Sequence, residues 1–338
     1  MTPTERWVCK AKERLAGDSQ VEQETYKCYL QRKYVHAEKA RTRNRQAYGL
    51  LTPEWILGDV SGRRIVIVGE NGVGDEILAA SCLREFLREA TPGRIIWQCD
   101  AKLEKLFTRS FPELEFRPEN IPPVDATIYS WELIGRVRKK LDNFGWTQSG
   151  QTFDPYLKHP PLLSESLRTR YSDGRRPIVG LAWRSERDGE PLTDKSCDVR
   201  DVPHWKMFFD KLKDRVRFVS LQYGDTRDDI AFVRWQYGVE IYQDGRVDTF
   251  NDVDAAAAQI AAMNYIVTIS TTTAHLAGAL GVPTWAILAR KPFAHWRAGK
   301  SICPWYPTIR PVRQQSAGEW KSVLEFIADD LAEEVSSG

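Results

Sequence analysis

The sequence has no apolar run near the roughly 20 residues that cross a bilayer, and no apolar stretch follows the charges of its first fifteen residues. Neither a membrane span nor a secretory leader is therefore expected. None of the six cysteines (Cys9, Cys28, Cys82, Cys99, Cys197, Cys303) stands in a close pair. That argues against a zinc site and a disulfide framework, and reduced, structural thiols are expected. No repeat of about 34 residues and no established nucleic-acid-binding motif is present. Proline is absent from residue 4 to residue 50. Together these absences point to a cytoplasmic protein, with peripheral contact at the inner membrane surface as a further option.

What is present is the balance of a globular chain. Its 338 residues suffice for two domains, with 42% hydrophobic and 28% charged residues and a net charge of +2 that names no partner. The twelve tryptophans are a high count. Trp183, Trp296 and Trp305 fall near loops, where stacking on a ligand competes with the commoner fate of core packing.

Residues 1–52 read as a polar, helical extension. Its basic stretch Lys39–Arg45 is either a solvated helix face or a contact for an anionic acceptor, nucleic acid or lipid headgroups. From Arg64 the pattern changes to alternating strands and helices. Strands are expected at Arg64–Gly69, Arg94–Cys99, Leu114–Phe116 and Ala126–Tyr129, with one helix over Asp75–Ala90. The stretch from Asp142 to Pro177 lacks periodicity, contains Pro155, Pro160 and Pro161, and reads as an interdomain connection. A second alternation follows, with strands at Ile178–Trp183, Val216–Gln222, Val239–Tyr242, Tyr265–Ile269 and Thr284–Leu288. The fold expected is α/β, with two doubly wound Rossmann-like domains at 53–165 and 166–338 whose strand ends face a central cleft.

The turn Gly69–Ile77 follows a strand and opens a helix. Its glycines are spaced G-x-x-G-x-G, not as in a dinucleotide fingerprint, and Glu70, Asp75 and Glu76 would repel a pyrophosphate. A dinucleotide-dependent oxidoreductase is disfavoured on that ground. Asp75 suits another use: the helix dipole keeps a first-turn carboxylate ionised, ready to accept a proton from a hydroxyl. The alternative is a plain helix cap.

In the second half, Ser270, Thr271, Thr272 and Thr273 follow a strand and precede a helix of small residues that carries His275. Hydroxyls and open amides at a helix start suit a diphosphate, with His275 as a further donor. Arg184 and Lys195, beyond the strand Ile178–Trp183, offer positive charge for a leaving diphosphate. Gln222 offers a hydrogen bond to a ribose or base.

These segments, with Pro53-Glu54-Trp55, Val179–Arg184, Phe218–Asp225, His275-Leu-Ala-Gly-Ala-Leu-Gly-Val-Pro283 and Trp305-Tyr306-Pro307, resemble glycosyltransferase family 9, the heptosyltransferase family. The likeness is greatest to its relatives attached to tetratricopeptide repeats, and it covers residue 53 to the C-terminus. The resemblance implies a GT-B fold and inverting transfer from a nucleotide-diphosphate sugar, with neither metal nor cofactor. It implies Asp75 as general base, His275 at the donor, and Arg184 or Lys195 as the donor-facing cation. Where the family commonly has Asp-Thr, this chain has Ser270-Thr271, which leaves the sugar open. The acceptor is unspecified: a glycan, a protein or a modified nucleic acid. A non-catalytic nucleotide-sugar-binding or scaffold protein is the second reading.

Overall fold

The computed structural model describes residues 2–16, 60–138, 144, 152–187, 190–192, 195–292, 294–296 and 303–337. The basic stretch Lys39–Arg45 and the segment Pro53-Glu54-Trp55 lie outside the described residues. The chain divides into two compact units, Leu15–Lys158 and Met1–Arg14 joined with His159–Gly338.

The smaller unit holds a parallel sheet of β1 (Arg64–Val68), β2 (Arg94–Gln98), β3 (Glu115–Phe116) and β4 (Ala126–Tyr129) in the order β3-β2-β1-β4. The strands are short apolar runs because both faces are covered: Ile65 to Val68 are at most 2% exposed. Two helices, Val73–Ala80 and Leu83–Ala90, replace the single expected helix. The break falls at Ser81-Cys82, where both amides make short-range turns back to Leu78 and Ala79. The second piece is strongly amphipathic by sequence (LREFLREA) and buries only Leu83 and Phe86, so a change of direction keeps its charged face in water.

The larger unit holds β5 (Ile178–Ala182), the small hairpin β6 (Glu186–Arg187) and β7 (Glu190–Pro191), β8 (Arg217–Ser220), β9 (Ile241–Tyr242), β10 (Tyr265–Ile269), β11 (Thr284–Leu288) and β12 (Ile309–Arg313). Six of these strands form a parallel sheet in the order β12-β11-β10-β5-β8-β9. Counted along the sheet's own strands, that is the doubly wound order 3-2-1-4-5-6. β12 was not anticipated: it carries Pro311, which only an edge strand tolerates, and it is the edge.

Two segments differ from expectation. The helix Pro3–Ala16 belongs with the larger unit rather than with a separate extension. Trp7 meets Trp285 edge-on at 4.8 Å, Thr4 Oγ1 donates to the Gly281 carbonyl at 2.9 Å, and Lys10 pairs with Glu334. Within the supposed connection, Pro161–Tyr171 forms a helix started by its proline. The Arg168 guanidinium ties it to the Ala261 and Met263 carbonyls at 3.0 and 3.3 Å. The unit boundary thus falls at 158/159 rather than at 165/166.

Trp183, Trp296 and Trp305 are all buried, so core packing is their role. Cys82, Cys99, Cys197 and Cys303 are buried and Cys9 is exposed. No described helix is long and apolar enough to cross a membrane.

Candidate functional site

In the larger unit the chain leaves β5 toward β8 and leaves β10 toward β11, so the crevice between β5 and β10 is the sheet's topological switch point. Thr268 pairs with Ala182, which brings Ser270 and Arg184 off the sheet at the same level. The helix Thr272–Ala279 begins there. Its N-cap, Thr271, is extended and makes no side-chain capping bond. Thr271 Oγ1 is buried without a partner. The Thr271 carbonyl takes the Ala274 amide at 3.0 Å, and the amides ahead of it form the positive end of the helix. Ser270 to Thr273 are thus brought together as expected.

His275 sits one turn in, only 5% exposed. Its Nδ1 lies 3.0 Å from Tyr306 Oη, and its ring packs on His295 and Trp296 with centroids 4.9 and 5.2 Å apart. Burial pushes its pKa down to about 3, so the ring is neutral. Gly278 permits this arrangement: a Cβ there would stand 2.3 Å from the Tyr306 ring.

Two expected donor contacts, Gln222 and Arg184, are engaged within the protein, and Gln222 also lines a cavity beyond the ends of β8 and β9. Gln222, 2% exposed, spends its amide inside the protein. Its Oε1 accepts the Trp183 and Arg184 amides, both at 2.9 Å, and its Nε2 donates to the Arg184 and Tyr223 carbonyls, both at 3.1 Å. That is the full complement of an amide side chain, which leaves nothing for a ribose. It stitches the end of β5 to the end of β8 instead. Arg184 is likewise engaged: Nε donates to Glu186 at 2.9 Å, Nη2 to the Asp225 carbonyl at 2.6 Å, and Nη1 pairs with the buried Asp229. Asp229 also holds Arg200 at 3.0 Å and the Trp183 indole at 3.0 Å. Two carboxylates thus neutralise Arg184. Lys195 is half-buried in the loop after the hairpin, its amide donating to the Leu192 carbonyl at 3.1 Å.

Beyond the carboxyl ends of β8 and β9 lies a cavity of about 610 Å³, lined among others by Tyr223, Asp244, Arg246, Phe250, Asn251 and Gln259. Tyr223 and Phe250 face each other with ring centroids 5.7 Å apart. Asp244 is buried, which opposes its charge, yet hydrogen bonds from Arg246, Arg170 and Tyr171 hold its carboxyl down at about 2. Sequence reasoning missed this cavity. Its one local signal was Asp244-Gly245 directly after a strand run.

The smaller unit has its own switch point, between β1 and β4. Glu70, buried after β1, accepts the Trp131 amide at 3.2 Å and so serves the start of the helix Ser130–Val137. Asn71 and Gly72 turn the chain with positive φ of 68° and 145°. Asp75 is the third residue of the helix Val73–Ala80, half-buried, and the N-cap is Gly72. Next to it Glu76 is buried, and its carboxyl fills the space against Gly69, where a Cβ would stand 2.4 Å from Oε2. A carboxyl thus packs against the first glycine of the turn, and its acidic setting is unfavourable to a pyrophosphate there.

No protein-family model matches the sequence. Among curated proteins, Protein FlbA of Caulobacter vibrioides is 27% identical over 302 residues, covering 84% of this chain and 48% of that protein. The chain therefore spans about half the length of the curated relative it matches. Among solved structures, a family 9 glycosyl transferase from Veillonella parvula superposes with a TM-score of 0.57 at 12% identity, over 83% of this chain and 99% of that one. The ADP-heptose lipopolysaccharide heptosyltransferase II of E. coli gives 0.55 at 14%, over 81% and 99%. E. coli heptosyltransferase WaaC with ADP-2-deoxy-2-fluoro heptose gives 0.51 at 15%, over 79% and 99%. The strand orders, the switch points and these superpositions agree: the chain has the GT-B fold of the family 9 glycosyltransferases, the heptosyltransferase family.

Proposed function

We propose that this chain moves a sugar from a nucleotide-diphosphate sugar to an acceptor hydroxyl, with inversion at the anomeric carbon and without a metal ion. The observation that carries the reading is the uncapped start of Thr272–Ala279 at the switch point, with its buried, unpartnered Thr271 hydroxyl. An anion there satisfies open amides and gains from the helix dipole. The heptosyltransferases that share the fold are named for, or were solved with, ADP-linked heptoses.

In this reading the diphosphate lies on Ser270–Thr273. Tyr306 donates to His275 Nδ1, which leaves the imidazole proton on Nε2 as a neutral donor to a phosphate oxygen. The nucleoside enters the cavity beyond β8 and β9, its base against Tyr223 and Phe250. Lys195, in the loop after the hairpin, supplies positive charge. Asp75 is the general base. It takes the proton of the acceptor hydroxyl, the oxygen attacks the anomeric carbon, and the bond from that carbon to the diphosphate oxygen breaks. The helix start holds the departing charge, and interactions that strengthen as it departs are the ones that raise the rate. Ser270 stands where the family has a carboxylate, so the sugar differs in the contacts it receives there.

Donor turnover by the Asp75→Asn protein tests the assignment of the base. Loss of turnover by about 10²–10⁴-fold with nearly unchanged donor affinity supports it. Full activity removes Asp75 from the mechanism.

A further inference from the structure

The proposed mechanism leaves two acids of the Gly69–Ile77 turn unused: Glu70 takes the Trp131 amide, and Glu76 has an unusual setting. It is 4% exposed. One carboxyl oxygen, Oε1, accepts the Asp100 amide at 3.1 Å. The other, Oε2, is buried without a partner. The carboxyl lies against Gly69, the residue that ends β1, closely enough that any side chain there would displace it. Gly69 in turn donates its amide to the Gln98 carbonyl at 2.9 Å. One side chain on the first helical turn therefore touches the carboxyl ends of two neighbouring strands.

A carboxylate is poorly suited to that place. Burial raises its pKa, the Asp100 amide opposes that rise, and the nearby Asp100 and Asp75 carboxylates add to it, leaving the group at about 8. The titratable neighbours are all acidic: Asp75 on its own helix, and Cys99 and Asp100 after β2, with the Cys99 thiol itself pushed up to about 12 by burial and by Glu76. At neutral pH Glu76 is an uncharged acid.

We propose that Glu76 is a positioning residue: its carboxyl clamps the Gly69 end of β1 to the Asp100 end of β2, and so fixes the turn that presents Asp75. The importance of that turn rests on the reading of Asp75 as general base; the clamp itself does not. Ionisation puts a further negative charge beside Asp75 and Asp100 in a buried place, where the Asp100 amide and the Trp97 indole offset only part of the cost. The clamp then loosens, and the turn Gly69–Asp75 opens in alkaline solution while the rest of the sheet holds.

Two measurements on the full chain test this without any substrate. Infrared difference spectra of wild type against Glu76→Gln reveal the carbonyl stretch of a neutral carboxylic acid. Hydrogen exchange, compared between the two proteins at equal pH, reports the amides of Gly69–Asp75 and Asp100. The neutral acid band is expected in wild type at pH 6.5 and is expected to fade as pH passes about 8. Protection of the turn is expected to match in the two proteins near pH 4.5 and to diverge as pH rises toward 8. At pH 9 wild type is expected to exchange about tenfold faster than Glu76→Gln, which keeps the amide bond and cannot ionise. Equal protection at pH 9, or absence of the acid band at pH 6.5, overturns the proposal. If Glu76→Gln does not fold, the wild-type pH series and Gly69→Ala replace it: Gly69→Ala displaces the carboxyl, so its turn should already be open at pH 6.5, and an undisturbed turn in that variant overturns the proposal. Failure of the Asp75 assignment shows only in turnover and leaves both readouts unchanged.

Discussion

Tyr306 Oη lies 3.0 Å from His275 Nδ1, and Gly278, one turn along the same helix, leaves the space for that phenol ring. A residue from the loop before β12 thereby reaches the ring of a histidine in the helix after β10. Tyr306→Phe keeps the ring and removes the hydroxyl. It should destabilise the protein by about 1–2 kcal/mol and weaken nucleotide binding several-fold, as read by urea unfolding and calorimetry. Gly278→Ala, by forcing a Cβ toward the ring, should cost about 1–3 kcal/mol.

Gln222 is predicted to matter for folding rather than for direct ligand contact. Gln222→Leu removes the acceptor of the Trp183 and Arg184 amides at the end of β5. A loss of about 2–4 kcal/mol in denaturant unfolding is expected. A variant as stable as wild type with lower ribonucleotide affinity would restore the ligand-binding role.

The N-terminal helix should behave as part of the larger unit's core. Trp7 is 4% exposed against Trp285, so Trp7→Ala should destabilise by about 3–5 kcal/mol. A change within about 0.5 kcal/mol would place the helix outside that core.

The two buried titrating groups act in opposite pH windows. His275 has a folded value depressed to about 3 from 6.5, so the unfolded chain binds the proton first, and stability is lost as pH falls below about 6.5. Glu76 has a folded value raised to about 8 from 4.5, so its contribution is full below about 4.5 and is lost as pH rises toward 8. Melting curves of Glu76→Gln should match wild type near pH 4.5. They should gain on it up to pH 8, by about 3–5 kcal/mol at the plateau. A gain that is independent of pH would show that Glu76 does not titrate in the folded chain.

Much of the fold was legible because parallel strands covered on both faces are continuous apolar runs, as in Ile65–Val68 and Tyr265–Ile269. The hydroxyl run before His275 was legible for a related reason, since a helix start after a strand end is a local pattern. The helix Pro161–Tyr171 was not: LLSESLRTR has weak periodicity, and what holds it is Arg168 reaching carbonyls some 93 and 95 residues away. Nor were the true states of Gln222 and Arg184, because a saturated amide and a neutralised guanidinium are made by partners on other elements. Asp229 and Asp244 escaped notice for the same reason. In the sequence they are ordinary charges, and what marks them is tertiary contact with Arg184 and Arg200 for Asp229 and with Arg170 for Asp244.

The central claim is that the larger unit binds a nucleoside diphosphate across Thr271–Thr273 and the cavity beyond β8 and β9. Titration calorimetry of the purified chain with ADP, GDP, UDP and CDP, and with the matching free nucleosides, tests it most directly. One base family is expected to bind. Phe250→Ala is expected to weaken both nucleoside and diphosphate, and His275→Ala to weaken the diphosphate about tenfold or more while leaving the nucleoside unchanged. A well-folded chain that binds none of the four, or whose binding is indifferent to both substitutions, contradicts it.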